Sequence, residues 1–155
     1  FRRVLFRSQS AGPLHELRDR LASTMWDDVG VLRQQASMQR GLATIQQHRH
    51  DLMQMGVADG DRRYNVTWHD WLNLQSLVDI SQVITLSALA RENSRGAHYR
   101  EDFPEPGDFE SSCFTRVHGD VQSLNLEMVP VSFDIVRPGE SLLDESANSK
   151  VAQPA

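Results

Sequence analysis

"TWHDWLNLQSLVDISQVITLSALARENSRG", residues 67–96, decides the fold. Its apolar residues Trp68, Trp71, Leu74, Leu77, Val78, Ile80, Val83, Ile84, Leu86 and Leu89 recur at helical spacing over more than one face. A helix apolar on several faces is expected to be covered on several sides, so this stretch is the central rod of its domain. At its start the Thr67 hydroxyl can bond the amide of Asp70 while the Asp70 carboxylate reaches back to the amide of Thr67, a capping box. The pattern runs to about Asn93, with Gly96 closing it.

Upstream, two more helices are expected. Pro13 suits a first helical turn, Leu14, Leu17, Leu21 and Met25 form a stripe, and Gly30 can end the helix. The second runs from about Leu32 to Met55, with Met38, Leu42, Ile45 and Leu52 on one face and Gly56 at its C′ position. Residues 56–66, "GVADGDRRYNV", are rich in turn formers and join the second helix to the rod. Three such helices joined by short loops make an antiparallel three-helix bundle, spectrin-repeat-like in outline. Beyond Pro104 the period changes to two. "CFTRVH" (113–118) and "LNLEMV" (124–129) flank a Gly119-Asp120 turn, and "VSFDIV" (131–136) continues the second run past Pro130. The expected class is mainly α: a bundle with its SRGAHYR loop over 9–104, a β-hairpin extension over 105–137, and a polar, acidic, disordered tail over 138–155.

Composition fits a water-soluble chain: 39% hydrophobic, 24% charged, and one cysteine among 155 residues. No apolar run approaches the roughly 18 to 20 residues that a membrane helix needs, so direct membrane insertion is not expected. Charge is unevenly placed. Residues 101–155 hold three Lys+Arg against eleven Asp+Glu, which argues against nucleic-acid binding by that third. At the other end, Arg2 to Ser8, "RRVLFRS", is what the end of a common sequencing adapter encodes in one frame. Residues 1–8 are therefore expected not to be protein sequence, with the gene cut upstream of Gln9.

Catalytic chemistry finds little purchase. His48 and His50 point about 200° apart on a helix and cannot share an ion, and both are expected at the polar surface. His15, His69 and His118 have no partner that spacing can name. Cys113 lies in a strand, where a packed thiol is the default. The nine glycines are too far apart for a G-x-G, so no phosphate-binding loop can be built. No catalytic, cofactor-binding or metal-binding residue is assigned. What remains is "ARENSRGAHYREDFPEP" (90–106), whose Arg91, Arg95, His98, Arg100, Glu101 and Asp102 suit charge-assisted hydrogen bonds. A fastening role is favoured over catalysis there, since His98 as a general base would need an orienting group and a pocket.

"ARENSRGAHYREDFP" resembles the SRGAH-x-R-x-D-F/Y-P signature in the C-terminal helical region of the succinate dehydrogenase and fumarate reductase flavoprotein family. "ELRDRLASTMWDDVGVLR" (16–33) is similar to the segment that opens that region, and residues 71–102 to its final helix and the loop after it. The resemblance covers about residues 14–137. It implies an oxidoreductase whose FAD is bound by N-terminal flavin and capping domains outside this stretch, with none held here. The 155 residues alone are accordingly expected to be inactive. It also implies an iron-sulfur subunit as partner, a cytoplasmic location, and attachment to the inner face of a membrane through partner subunits. For Ser94, Arg95, Gly96, Ala97, His98 and Arg100 the implied role is an interface with the flavin domain or that subunit. L-aspartate oxidase, a relative with a similar SRG-x-H-Y stretch, is the alternative; a free-standing helical interaction module is the other.

Overall fold

Helix α1 (Leu14–Val29) follows Pro13 and buries Leu14, Leu17, Leu21 and Val29, with Gly30 as its C-cap. The computed structural model of the chain describes residues 12–57, 61, 63–120 and 123–141. The expectations for residues 1–8 and for the tail from 142 onward lie outside them.

The second helix, α2 (Gln35–Gln54), starts three residues later than expected. Leu32–Arg33 is instead a short strand, β1, paired in parallel with β2 (Tyr99–Arg100), with Leu32 opposite Tyr99 and Arg33 opposite Arg100. Tertiary pairing has overridden a helical pattern here: the Glu101 amide donates to the Arg33 carbonyl at 2.8 Å, and Gln34, extended at φ −135°, forms a reciprocal cap with Ser37. Against α1, helix α2 comes close at Gly41. A Cβ there would sit 2.9 Å from Asp28 Cβ and 3.1 Å from Val29 Cγ2, closer than side chains pack. The other end of α2 does not use Gly56 as a left-handed cap, since Gly56 is not among the positive-φ glycines of the described residues. Its carbonyls go elsewhere: Trp71 Nε1 lies 3.2 Å from both Leu52 O and Met55 O.

Helix α3 (Val66–Ala90) is the rod. Its cap is Asn65, whose Oδ1 accepts the Trp68 amide at 2.8 Å while its Nδ2 donates to Asp61 O at 2.7 Å. The expected Thr67 box is therefore displaced by a better-placed side chain two residues earlier. Trp71, Leu74, Val78, Thr85 and Ala88 are buried, with α1, α2 and strand 113–118 packed against the rod, whereas Leu77, Ile80 and Ile84 on the adjoining face are exposed. Leu14, Leu17, Leu21, Ile45, Leu52, Trp71, Leu74 and Val78 form one continuous core between the three helices.

His48 corrects a further expectation. It is only 6% exposed, on the α2 face that also buries Met38, Gly41, Ile45 and Leu52. Its Nε2 lies 3.4 Å from Thr24 Oγ1 on α1. His50 is exposed, as expected.

After α3 the chain folds back over the helix ends and then forms an antiparallel hairpin of β3 (Cys113–His118) and β4 (Asn125–Pro130), with Cys113 opposite Pro130 and His118 opposite Asn125. Gly119 leaves β3 at φ 111°, which only glycine adopts easily. Residues 131–136 do not extend β4. Pro130 has no amide, and the ladder ends on one last bond, from the Val131 amide to Ser112 O at 2.8 Å, directly opposite it in the hairpin register. Among the described residues no helix is long and apolar enough to cross a membrane.

Candidate functional site

All six residues of the expected interface lie in one loop that closes over the ends of the helices. Arg95 and His98 bond each other's backbones (Arg95 N to His98 O at 2.9 Å, His98 N to Arg95 O at 3.1 Å), making a tight turn. Gly96 sits in that turn at φ 57°, so it shapes the loop rather than closing α3, which has already ended at Ala90. Gly96 and Ala97 are exposed.

The centre of the loop is Arg100, 1% exposed. Its Nε and Nη2 each lie 2.6 Å from an oxygen of Asp102, the bidentate fork that a guanidinium makes with a carboxylate. Its Nη1 faces Ala88 O, Leu89 O and Arg91 O at 3.2, 3.2 and 3.1 Å. Those are the carbonyls that a helix end leaves unpaired, at the negative pole of the α3 dipole. The same Asp102 accepts the Gln35 amide at 2.9 Å, at the positive pole of α2. One ion pair thus caps the end of α3 and the start of α2 together. The fork lowers the Asp102 carboxyl from 3.8 to about 2.

Arg33 does for α1 what Arg100 does for α3. Its Nε donates to Val29 O at 3.0 Å and Gly30 O at 2.9 Å. Its Nη1 lies 2.7 Å from His98 Nδ1, which can only accept from a guanidinium, so the imidazole proton sits on Nε2, facing Arg91 O at 3.5 Å. Burial, then the nearby Arg91 cation, push the His98 pKa down. Both ring nitrogens are engaged and the ring is held neutral, which is a poor arrangement for a general base. Ser94 is equally committed: its Oγ accepts the Arg100 amide at 2.8 Å and donates to Phe103 O at 2.8 Å. Arg95 reaches the other way, from Nη1 to Ser112 Oγ at 2.7 Å and from Nη2 to Asp108 O, with its guanidinium 4.5 Å from the Phe109 ring centre.

The loop is therefore an internal clamp holding α1, α2, α3 and the approach to the hairpin. Sequence reasoning missed Arg33, which had been placed inside α2. Its side-chain partner, His98, is 65 residues away, and its nearby partners are backbone carbonyls, which leave no mark in the sequence.

Acid should destabilise the fold in two stages. His48 is pushed down by burial, then by Arg20, and His98 by burial, so below their ordinary 6.5 the unfolded chain takes up protons first and stability falls with pH. Asp102, depressed to about 2, contributes stability that is complete above 3.8 and lost as pH falls toward 2. Urea midpoints measured from neutral pH downward should stay level, decline below 6.5, and drop more steeply below 3.8. Replacing His48 by glutamine should remove its share of the first decline, leaving the share of His98 and the whole of the second.

Known proteins are similar to this chain in sequence and fold. The family "Fumarate reductase flavoprotein C-term" matches residues 18–142. The fumarate reductase flavoprotein subunit of Haemophilus influenzae is 28% identical over 138 residues, 88% of this chain and 23% of that protein. L-aspartate oxidase of Acinetobacter baylyi is 36% identical over 87 residues, 56% of this chain and 15% of that protein. Among solved structures, the Sdh1 complex of Mycobacterium smegmatis in its apo form superposes with a TM-score of 0.73 at 26% identity, covering 96% of this chain and 25% of that one. The chain thus spans about a quarter or less of the length of the proteins it matches. Three helices knotted at their ends by the SRGAHYR loop, with a hairpin beyond, are what this match covers, and the chain belongs to the C-terminal domain family of succinate dehydrogenase and fumarate reductase flavoproteins.

Proposed function

We propose that the chain is the supporting C-terminal domain of a FAD-dependent oxidoreductase that interconverts succinate and fumarate. FAD and dicarboxylate are bound by the flavin and capping domains of the full-length polypeptide, and an iron-sulfur subunit exchanges electrons with the flavin. The observation that carries this is the long match, over 88% and 85% of the chain and through the hairpin, to two fumarate reductase flavoprotein subunits; the L-aspartate oxidase relative matches over 56% and a succinate dehydrogenase relative over 59%. The clamp geometry supports a mechanical role, since the histidine, serine and arginine of the motif already spend their hydrogen bonds within the domain.

The test is the full-length polypeptide and the 155-residue chain purified side by side. The full-length protein should carry flavin and reduce an acceptor dye with succinate, while the shorter chain stays colourless and inactive. Changing Arg95 to alanine in the full-length protein frees the 106–112 segment and should lower flavin retention while leaving the succinate KM within about twofold, as expected for a residue that makes no substrate contact. A full-length protein that oxidises L-aspartate in preference to succinate would overturn the assignment; a large rise in KM with flavin fully retained would overturn the supporting role.

A further inference from the structure

Between the last turns of α3, the 95–98 turn and strand β3 runs an open groove of about 590 Å³. Arg33, Arg91, Arg95 and His98 line it, with Ile84 and Phe114 as apolar walls. No aspartate or glutamate lines it. Among the described residues, none of its three arginines lies within ion-pair distance of a carboxylate, whereas Arg100 next door is matched by Asp102. Arg91 is close enough to Arg33 and His98 to disfavour a proton on either. Like charges gathered in one concave place set up a field that a carboxylate relieves, and guanidinium groups are shaped to grip one.

The walls say what kind of carboxylate. Phe114 is 64% exposed, and β3 pairs with β4 on one side only, so the groove offers an apolar surface and a bare strand edge beside its cations. An open trough of this kind suits an extended chain better than a small free acid, which binds in an enclosed pocket.

We propose that the groove is the docking slot for an extended acidic segment of the flavin-binding portion of the same polypeptide, with a carboxylate of that segment held between Arg91 and Arg33. This rests on the reading of the chain as the C-terminal part of a longer flavoprotein. The tether favours that occupant: a segment of the same polypeptide meets the groove at a high effective concentration. The docking cations differ from the residues picked out by the motif. Arg100 and Ser94 are spent inside the clamp, whereas Arg91 lines the groove together with Arg33, whose Nε and Nη1 also serve the clamp.

Cys113, the only cysteine among the 155 residues, is exposed and lines the groove, so it reports on the slot directly. Its reaction with a maleimide, followed by peptide mass spectrometry, is compared in the 155-residue chain and the full-length flavoprotein, with flavin content read on the same samples. Labelling should be slowed about tenfold or more in the full-length protein, as for a site exposed only by rare opening. Arg91→Glu in the full-length protein should restore fast labelling, and Arg91→Lys should keep most of the protection, both with the parental circular dichroism spectrum. Equal labelling of the two parental proteins, with flavin present, overturns the slot and leaves the functional reading standing. Absence of flavin and of turnover in the full-length protein overturns that reading instead. Protection already present in the 155-residue chain assigns the groove to its own acidic tail, and protection that appears only on adding succinate assigns it to a free dicarboxylate; either result overturns the proposal. So does protection that survives Arg91→Glu.

Discussion

Replacing Arg100 by alanine is expected to cost about 3–5 kcal/mol, the range for removing one partner of a buried, hydrogen-bonded ion pair. The loss is more than one contact. Five contacts disappear at once: two to Asp102 and three to the terminal carbonyls of α3. Asp102 is left as a charge held by the Gln35 amide, and the α3 carbonyls lose the cation that matched their dipole. For a chain of this size that corresponds to a fall in melting temperature of about 10 °C, read by far-UV circular dichroism. Lysine at 100 should recover only part of it, because an ammonium cannot fork onto a carboxylate and reach a helix end in the same plane. A melting temperature within about 2 °C of the parent would mean that the fork contributes little to the fold.

Trp71 is the other position where one change should be severe. It is 1% exposed, the largest side chain in the core, and its indole N–H serves Leu52 O and Met55 O at the C-terminal end of α2. Trp71→Ala combines a cavity with the loss of the indole's two hydrogen bonds and should cost about 3–5 kcal/mol, measured as a shift in urea midpoint at unchanged slope. Trp71→Phe separates the two parts. It keeps most of the volume and loses the hydrogen bonds, so a cost of about 1–2 kcal/mol is expected. If the phenylalanine variant proves as unstable as the alanine one, the indole N–H rather than packing is what matters at this site.

How far these features could be read from sequence follows the range of the interactions that make them. The α1 stripe was legible because burial of Leu14, Leu17 and Leu21 leaves a period in the chain itself. The hairpin was legible for the same reason, up to Pro130. The start of α3 was misplaced by two strong caps lying close together: Asn65 and Thr67 both suit the position, and the Asp61 carbonyl, which only the folded loop brings near, decides for Asn65. His48 carried a signal that its polar neighbours obscured. It stands three residues after Ile45 and four before Leu52, on the stripe that those residues define.

The clamp was half legible. Its charged, mixed-sign composition and its resemblance to a family motif marked residues 94–102 as special. Their partners were not readable, because they are backbone carbonyls of α3, an amide of α2 and an arginine 65 residues upstream. At Ser94, His98 and Arg100 the side chains spend hydrogen bonds within the domain. Only Gly96 and Ala97 of the six are left exposed.

Amide hydrogen exchange on the parent and Arg100→Ala chains tests the clamp most directly. If one ion pair ties the helix ends together, the Gln35 and Glu101 amides and the last turn of α3 should all exchange faster in the variant, by similar factors of about tenfold or more. Faster exchange confined to residues 99–103, with the start of α2 and the end of α3 at parental rates, would show that the helix ends hold themselves and that the loop merely rests on them.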